Sequence, residues 1–377
     1  MERVLITGGA GFIGSNLSLA LLDKGYEVVV LDSLSTQIHG ENPTETSPLY
    51  NSIKDKVVFF EADIRNKAKL KEALQDVSIV VHYAAETGTG QSMYNIFNYN
   101  DVNVNGTALL LDILANEEHN VKKVVVASSR SIYGEGKYDS EEYGIVYPKH
   151  RVEADMNNGD FEVKYKDSSK LALLPTDEES RIHPSSVYGI TKQVQEQLVM
   201  TVCPTINIAP VALRYQNVYG PGQSLSNPYT GIISIFSTSI KNGNDINIFE
   251  DGLESRDFVY IDDVVNATIL AIENIEADGE IFNVGFGAPT DVITVARKLI
   301  EEYKSDTKVK ISGNYRIGDI RHNFADLSKI KSKLGFVPQV NFETGISNFV
   351  KWANTQSLAE DKYLQSIEEM KSKGIYK

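Results

Sequence analysis

A glycine-rich segment near the amino end constrains the fold more than any other feature of this sequence. The run from Thr7 to Gly14 follows an apolar, β-branched stretch and opens a stretch of helical periodicity from Gly14 to Lys24. Gly9, Gly11 and Gly14 match the spacing G-x-G-x-x-G, in which glycines allow a tight turn, close approach of the backbone to a pyrophosphate, and close packing of helix on strand. The alternative is a glycine-rich turn that binds nothing. The strand before it and the helix after it favour a dinucleotide site.

An acidic residue specifies which dinucleotide. Asp32 ends the second strand-like run, about 20 residues beyond the glycines, where a carboxylate can accept hydrogen bonds from ribose hydroxyls. No arginine or lysine occurs at positions 33–36, so a 2′-phosphate would meet a negative charge without a cation to balance it. The pattern predicts NAD rather than NADP, with a turn-forming acid at a strand end as the alternative.

The rest of the amino-terminal half alternates short apolar runs with helical stretches, which predicts βαβ units and a parallel sheet covered by helices on both faces. We therefore expect an α/β, Rossmann-type doubly wound sheet with a smaller α/β lobe. The predicted domains are 1–219, with an insertion at about 136–176, and 220–377, partly interleaved with the first. Further strands are predicted at Val4 to Ile6, Glu27 to Leu31, Val57 to Phe60, Ile79 to His82 and Lys123 to Ala127.

Two segments lie outside this pattern. The insertion is polar and shows only brief periodicity, which predicts an irregular connection, either a functional lid or a tolerated surface insertion. The final stretch, Leu358 to Lys377, is predicted to be a charged, solvated helix without a chemical role. The short runs Asp257 to Tyr260 and Ile281 to Val284 could return to the first sheet.

Composition excludes several classes of protein. With 42% hydrophobic and 23% charged residues, the 377-residue chain is expected to fold, and its net charge of −14 argues against a nucleic-acid-binding protein. Its one cysteine, Cys203, allows no intrachain disulfide and no thiolate zinc site, so no metal is expected. Neither a signal peptide nor an apolar run of about 18 residues is present, which predicts a cytoplasmic protein without a membrane partner.

Several short motifs occur together in a fixed order. After the glycine pattern come Asp63-Ile64-Arg65, His82-Tyr83-Ala84-Ala85, Asn103-Val104-Asn105-Gly106-Thr107, Ser128-Ser129-Arg130-Ser131-Ile132-Tyr133-Gly134 and Tyr188-Gly189-Ile190-Thr191-Lys192. As a set they resemble the extended short-chain dehydrogenase/reductase family of nucleotide-sugar epimerases and dehydratases. The resemblance covers essentially the whole chain except the insertion.

The family resemblance implies a catalytic role for Tyr188, Lys192 and Ser129. Tyr188 and Lys192 are four residues apart in a helical stretch, so their side chains share one face. A neighbouring ammonium stabilises a phenolate, so it lowers the pKa of the tyrosine toward the pH at which a general base works. Ser129 corresponds to the serine that hydrogen-bonds the reacting oxygen. The alternatives are a solvated helix face for the pair and a strand-ending hydroxyl for Ser129, with Ser128 as the backup candidate.

The residues after Ser129 distinguish among the reactions of the family. Its sugar 4,6-dehydratases carry an Asp-Glu pair or a Glu there, whereas this chain has Arg130 and Ser131. Epimerases of the family that invert the carbons beside the keto group use a Cys and a His in the pocket. Cys203 lies just before a predicted strand and not near that pocket. The resemblance therefore implies NAD-dependent inversion at C4 through a 4-keto sugar. An NADH-dependent 4-ketoreductase is the alternative, and a non-catalytic NAD-binding scaffold is a more remote one.

The resemblance also assigns ligand contacts and an assembly. The run from Ala85 to Ser92 and the insertion are most similar to the branch that contains dTDP-L-rhamnose 4-epimerases, and the family pairs its helices near Asn100 and Tyr188 into a homodimer. Asn103 also has a structural interpretation, and Phe249 could be plain core. The expected cofactor residues are Gly8, Gly11, Phe12, Ile13, Gly14, Asp32, Asp63, Ile64, Ala84, Ala85, Asn103 and Lys192. The expected nucleotide-sugar contacts are Thr87, Ser129, Arg130, Tyr188, Asn217, Phe249, Arg256 and Arg321.

Overall fold

The computed structural model describes residues 2–166, 170–229 and 231–377. Its strands are β1 Arg3–Thr7, β2 Glu27–Asp32, β3 Val58–Glu61, β4 Ile79–His82, β5 Lys123–Ser129, β6 Lys137–Ser140, β7 Gly144–Val146, β8 Leu171–Leu174, β9 Ala209–Tyr215, β10 Asn217–Tyr219, β11 Ile246–Ile248, β12 Ser255–Tyr260, β13 Ile281–Val284, β14 Pro289–Asp291, β15 Val309–Ile311 and β16 His322–Asn323.

The α-helices are α1 Phe12–Asp23, α2 Thr36–His39, α3 Pro43–Thr46, α4 Pro48–Ile53, α5 Lys67–Ala73, α6 Thr89–Ser92, α7 Ile96–Tyr99, α8 Gly106–Asn116, α9 Glu153–Asn157, α10 Val187–Thr205, α11 Ile232–Lys241, α12 Ile261–Glu273, α13 Val292–Tyr303, α14 Ser328–Leu334, α15 Phe342–Thr355 and α16 Tyr363–Ser372. A π-helical stretch, Asn100–Asn105, leads into α8, and 3₁₀ turns occupy Arg130–Tyr133 and Ile275–Ala277.

Seven parallel strands form the central sheet, in the order β13-β9-β5-β4-β1-β2-β3. The inner strands are buried on both faces because helices cover both, which is why their sequences are apolar throughout. The order of the strands reverses between β1 and β4, and a ligand cleft forms at such a point, outside the carboxyl ends of the strands. The Rossmann-type α/β fold is confirmed.

The edge strand β3 departs from the buried pattern, since Val58 is 40% exposed. It has only β2 as a neighbour, so one flank faces solvent.

The carboxyl-terminal half adds small sheets around helices α11 to α15. One contains β10, β12, β14 and β16, and another pairs β11 with β15. Strand β13 joins the central sheet beside β9, whereas Asp257 to Tyr260 lies in β12 of the smaller sheet. The division of the chain into lobes at residue 219 stays a prediction.

The expectation of an irregular insertion is wrong. Strands β6, β7 and β8 form an antiparallel sheet, and α9 lies between β7 and β8. The sheet packs on its own apolar cluster, which includes Tyr138, Val146 and Val163. The three strands are only three or four residues long, so their alternation was too short to be recognised from the sequence.

A buried ion-pair cluster ties the insertion to the carboxyl-terminal half. Arg151 lies in the insertion, and its two terminal nitrogens contact the Glu250 carboxylate at 2.7 and 2.8 Å. The same guanidinium donates to the Asp319 carbonyl oxygen and lies 3.5 Å from Glu135. Both Arg151 and Glu250 have side chains that are 4% exposed, so their charges depend on each other.

The carboxyl-terminal helix α16 is not the solvated helix expected from the sequence. Ile367 and Met370 are buried in a cluster with Tyr376, and Tyr94 and Phe249 pack against it. Backbone hydrogen bonds between Tyr315 and Lys377 hold the last residue against the rest of the chain. The apolar positions are few and widely spaced among charged ones, which concealed the buried face.

Within the described ranges, no helix is both long and apolar enough to cross a membrane.

We predict that Arg151→Ala lowers the free energy of unfolding by about 3–5 kcal/mol, because it removes the cation beside buried Glu135 and one of the two cations that neutralise buried Glu250. Chemical denaturation measures the change. Lys149→Ala, at an exposed position in the same insertion, is the control and should stay within about 0.5 kcal/mol of the unchanged protein. Equal stability of the two variants would contradict the structural role given to the Arg151 cluster.

Candidate active site

The turn between β1 and α1 forms a cradle open to the cleft. A Cβ atom on Gly14 would lie 2.5 Å from the Gly8 carbonyl oxygen and 2.6 Å from the Gly9 Cα atom, so only glycine permits this approach of helix to strand. Gly8 has φ +69°, a left-handed conformation that glycine adopts without strain. No side chain caps the amino end of α1, so its first amide groups remain available to an anion.

Asp32 stands beside this cradle at the end of β2. Its two carboxylate oxygens accept hydrogen bonds from the Ala10 and Leu34 amides, both at 2.9 Å. The His39 imidazole is 3.8 Å away, and burial lowers the pKa of His39 while the Asp32 charge raises it. The carboxylate is thereby held in one orientation at the wall of the cleft.

The cleft brings together nearly all of the expected cofactor residues. Its wall contains Gly8, Gly11, Phe12, Ile13, Gly14, Asp32, Asp63, Ile64, Ala84, Ala85 and Lys192, and of the expected substrate contacts it contains Thr87, Ser129 and Tyr188. Asn103 is the exception. It is fully buried and bonds the Glu86 amide, the Glu86 carbonyl and the Thr191 hydroxyl, so it positions the loop after β4 instead of a ligand.

The wall of the cleft also contains unpaired polar atoms that are available to bond NAD. Both side-chain amide atoms of Gln216 and the hydroxyl of Ser128 are buried without a hydrogen-bond partner, and both residues line the cleft. Buried polar groups are ordinarily satisfied, so these atoms indicate a polar ligand. Gln216 was missed in the sequence, although a polar residue directly after buried strand β9, at the carboxyl edge of the sheet, is a signal for it.

Tyr188 lies in the first turn of α10, which Ser186 caps through a bond to the Gly189 amide. The Tyr188 amide donates to the Ser92 hydroxyl at 3.0 Å, which joins α10 to the loop after β4. Burial raises the pKa of the Tyr188 phenol, while a hydrogen bond with Ser129 and the charge of Arg130 lower it. The phenol and the Ser129 hydroxyl therefore lie near each other at the cleft, where the Ser129 hydroxyl donates to the Ser131 hydroxyl at 3.1 Å.

Lys192 is 3% exposed and lies one turn further along α10. Burial lowers its pKa to about 7, and the charge of Glu196 opposes that shift. Glu196 is itself paired with buried Arg214 at 2.6 Å. The protonation state of Lys192 therefore depends on the few polar groups around it.

Arg130 follows Ser129 directly and is partly buried. Its Nη1 atom has no hydrogen-bond partner among the described residues. Burial and, next to it, the positive charge of Arg256 lower the pKa of Arg130 to about 9. The two cations repel each other, and an anionic ligand would relieve that repulsion. The Asn217 side-chain oxygen is also buried and unpaired.

The expected phosphate contact of Arg321 is contradicted. The residue is fully buried, and its guanidinium contacts Glu162, Glu250 and Asp251 at 2.6–3.1 Å. These carboxylates leave no donor free for a diphosphate. Glu162 comes from the insertion, so the sequence around Arg321 gave no sign of this pairing.

Phe249 does not present a free ring to a nucleotide base. Its ring stacks on Tyr363 at 6.3 Å between centroids and meets Tyr376 edge-on at 5.0 Å. The guanidinium carbon of Arg316 lies 5.2 Å from the same ring centroid, and Asp319 pairs with Arg316 at 2.7 Å. Arg316 was missed in the sequence. Its position beside Phe249 makes it a further cation of the carboxyl-terminal half.

Cys203 is fully buried in α10, and burial raises the pKa of its thiol to about 12. A thiol with that pKa stays protonated and unreactive at neutral pH. Its position agrees with excluding it from the reaction.

We predict that NAD binds at least tenfold more tightly than NADP, a difference of about 1.4 kcal/mol, because a 2′-phosphate would meet the Asp32 carboxylate. Asp32→Ser should weaken NAD binding and reduce the preference below threefold. Glu27→Ser, at the exposed opposite end of β2, is the control and should keep both values. Calorimetric titration measures them. A tenfold preference that survives Asp32→Ser would rule out this carboxylate as the discriminating group.

The chain matches the model of the NAD-dependent epimerase/dehydratase family over residues 4–151 and 165–285. It is 35% identical to a dTDP-L-rhamnose 4-epimerase of Burkholderia thailandensis, over 93% of this chain and 94% of the relative. It is 32% identical to a putative UDP-glucose 4-epimerase of Methanocaldococcus jannaschii, over 93% and 97% of the two chains.

Solved structures agree with these relatives. UDP-glucose 4-epimerase of Thermotoga maritima, in complex with UDP-glucose, superposes with a TM-score of 0.75 at 30% identity, over 94% of this chain and 99% of the other. UDP-glucuronic acid 4-epimerase of Bacillus cereus, in complex with UDP-glucuronic acid and NAD, gives a TM-score of 0.76 at 26% identity over the same shares. The chain is an enzyme of the NAD-dependent epimerase/dehydratase family, and its cofactor is NAD.

Proposed function

We propose that the enzyme inverts C4 of a nucleotide-linked hexose through a 4-keto intermediate, and that its substrate is a dTDP- or UDP-sugar. The observation that carries this proposal is the shared wall of the cleft, where Tyr188, Ser129 and Lys192 meet the dinucleotide cradle. Arg130 and Ser131 occupy the positions where dehydratases of the family carry acids. Without a carboxylate there, elimination of water lacks its general acid, and inversion at C4 is favoured.

The side chains divide the chemistry among them. Tyr188, as the phenolate, takes the proton of the C4 hydroxyl and becomes the phenol, and it later returns a proton to the C4 oxygen and becomes the phenolate again. The Ser129 hydroxyl hydrogen-bonds the reacting oxygen and stabilises the phenolate. Lys192, when protonated, supplies a positive charge that favours the phenolate, and it holds the cofactor. NAD, when bound, supplies the oxidation and reduction at C4.

Cofactor binding is assigned to the cradle and to Asp32. The uncapped amino end of α1 would hold the pyrophosphate, and the Asp32 carboxylate would accept from the ribose hydroxyls. The unpaired side-chain amide of Gln216 and the unpaired hydroxyl of Ser128 would form hydrogen bonds with the ligands elsewhere in the cleft.

The diphosphate of the substrate is assigned to Arg130, Arg256 and Asn217. The Nη1 atom of Arg256 donates to the carbonyl oxygens of Ser255 and Arg321, which orients the guanidinium. Mutual repulsion of Arg130 and Arg256 would be relieved by a phosphate bound between them. Thr87 lines the hexose end, where small hydroxyl and glycine residues leave space for the sugar to turn.

The narrower proposal is interconversion of dTDP-L-rhamnose and dTDP-6-deoxy-L-talose. It is supported by the Burkholderia thailandensis relative, which is similar over 93% of this chain and 94% of its own. Incubation with UDP-, dTDP- and GDP-sugars without added reductant, followed by NMR of the products, tests the substrate. A mixture of C4 epimers of dTDP-L-rhamnose is expected. Conversion of another sugar alone would reject this substrate, and conversion that requires stoichiometric NADH would indicate a 4-ketoreductase instead.

A homodimer is proposed on the surface formed by α7 and α10. Ile96 and Phe97 of α7 are 51% and 81% exposed, and Ile190 of α10 is 48% exposed. Large apolar side chains grouped on adjacent helices favour a protein interface, and twofold pairing is the commonest assembly.

We predict that Tyr188→Phe lowers kcat at least 10²-fold, because general acid–base catalysis typically contributes about 10² to 10⁴. The Kd values for NAD and for the nucleotide sugar should change less than about threefold, since only the phenolic oxygen is removed. Ser129→Ala should lose less. Tyr26→Phe, remote from the cleft, is the control. Near wild-type turnover of the Tyr188→Phe enzyme would show that Tyr188 is not the base.

We predict that Phe97→Glu gives a monomer at micromolar concentration, because each copy would bury a charge against its twofold mate. Light scattering measures the mass. Ile275→Glu, at a position that is 77% exposed on another surface, should leave the dimer intact. A wild-type protein that is already monomeric would refute the proposed interface.

A further inference from the structure

A chain of buried polar side chains ends at Lys192. The lysine Nζ atom donates to the Gln195 side-chain oxygen at 2.7 Å, and the Gln195 amide nitrogen donates to the Thr107 hydroxyl at 2.8 Å. His82 contacts that hydroxyl through Nε2 at 2.9 Å and the Thr7 hydroxyl through Nδ1 at 2.8 Å. Gln195, Thr107, His82 and Thr7 are all fully buried, so solvent cannot replace these bonds.

The partners of each group orient this network, in which the Gln195 amide nitrogen also lies 3.3 Å from His82 Nε2. An ammonium can only donate, so the oxygen of the Gln195 amide faces Lys192 and the nitrogen faces Thr107. The Thr107 hydroxyl donates to the Asn103 carbonyl oxygen at 2.6 Å, so it accepts from the Gln195 amide nitrogen. Neutral His82 carries its one proton either on Nε2, toward Thr107, or on Nδ1, toward Thr7, in which case Nε2 accepts from the Gln195 amide nitrogen at 3.3 Å. Burial lowers the pKa of His82 to about 3, so this neutral form persists through the working range.

We propose that Gln195 is a positioning residue for C4 inversion: its side-chain oxygen, oriented by Thr107 and His82, holds Lys192 in place and in its charged form. This inference rests on the proposed function, in which the Lys192 ammonium stabilises the Tyr188 phenolate. Gln195 does so without a charge of its own, whereas a carboxylate at that place would compete with the phenolate for the ammonium. It acts through Lys192 and does not touch the reacting atoms.

The charged and titratable groups around Lys192 are few. On its own helix, Glu196 raises the pKa of Lys192, but the carboxylate of Glu196 is already shared with Arg214 of β9. Tyr188 lies one turn before Lys192 on the same helix. From β4, neutral His82 faces it, and the charge of Lys192 contributes to the low pKa of His82. Among the described residues, Gln195 is the side chain bonded directly to the Lys192 ammonium.

Removing the acceptor has a defined effect on pH dependence. The Gln195 oxygen stabilises the ammonium, so its loss lowers the pKa of Lys192, and the active charged form disappears at a lower pH. For Gln195→Met, which keeps the side-chain length, we expect the alkaline limb of kcat to move down by about one pH unit, equivalent to about 1.4 kcal/mol. Gln195→Glu places a negative charge there and should move the limb upward.

The test records kcat against pH for wild type, Gln195→Met, Gln195→Glu and the control Gln197→Met, which lies on the exposed side of α10. Opposite shifts in the two Gln195 variants, with an unmoved control, support the inference. A limb that stays in place, or a uniform loss of kcat at every pH, would overturn it as a merely structural role. If Gln195→Met does not fold, Thr107→Val removes the anchor of the Gln195 amide and must shift the limb downward. A wild type without C4-epimerase activity fails the proposed function itself, and this inference with it.

Discussion

The contact between Gly14 and the Gly8 carbonyl is the constraint on which the site depends. Because no Cβ fits there, helix α1 begins directly against strand β1 and directs its uncapped amino end into the cleft. The same register of parallel strands brings the ends of β2, β4, β5 and β9 to one edge. Asp32, Ala84, Ser129 and Gln216, which are far apart in the sequence, meet around the same cleft for that reason.

Charge placement allows an acidic protein to bind an anionic ligand. The net charge is −14, yet the positive charge of Arg256 acts on Arg130, the residue after Ser129. Arg321 and Arg151 are neutralised by Glu162, Glu250 and Asp251. These ion pairs connect the insertion to the carboxyl-terminal half. The arginines therefore separate into a structural set saturated by carboxylates and a set with unpaired donors. We propose the second set as the one that binds phosphate.

The sequence predicted the sheet and the cradle because local patterns determine both. Apolar runs of buried strands, glycine spacing and the Tyr188-Lys192 interval each express a contact within one or two elements. It failed where distant residues decide the outcome. The partners of Arg321 include Glu162, which is 159 residues away. Phe249 is covered by Tyr363 and Tyr376, and Asn103 bonds Glu86 across a loop. No spacing rule encodes such contacts, and the apolar positions of the insertion and of α16 were too sparse to indicate burial.

The central claim is that a hydrogen leaves C4 and returns to the same carbon on the other face while Tyr188 manages the hydroxyl proton. The most direct test uses dTDP-L-rhamnose labelled with deuterium at C4, in ordinary water with unlabelled NADH added. The account predicts that the product with inverted C4 retains deuterium at C4 and that none appears in the added NADH. Inversion with loss of the C4 label to solvent or to the added cofactor would contradict it.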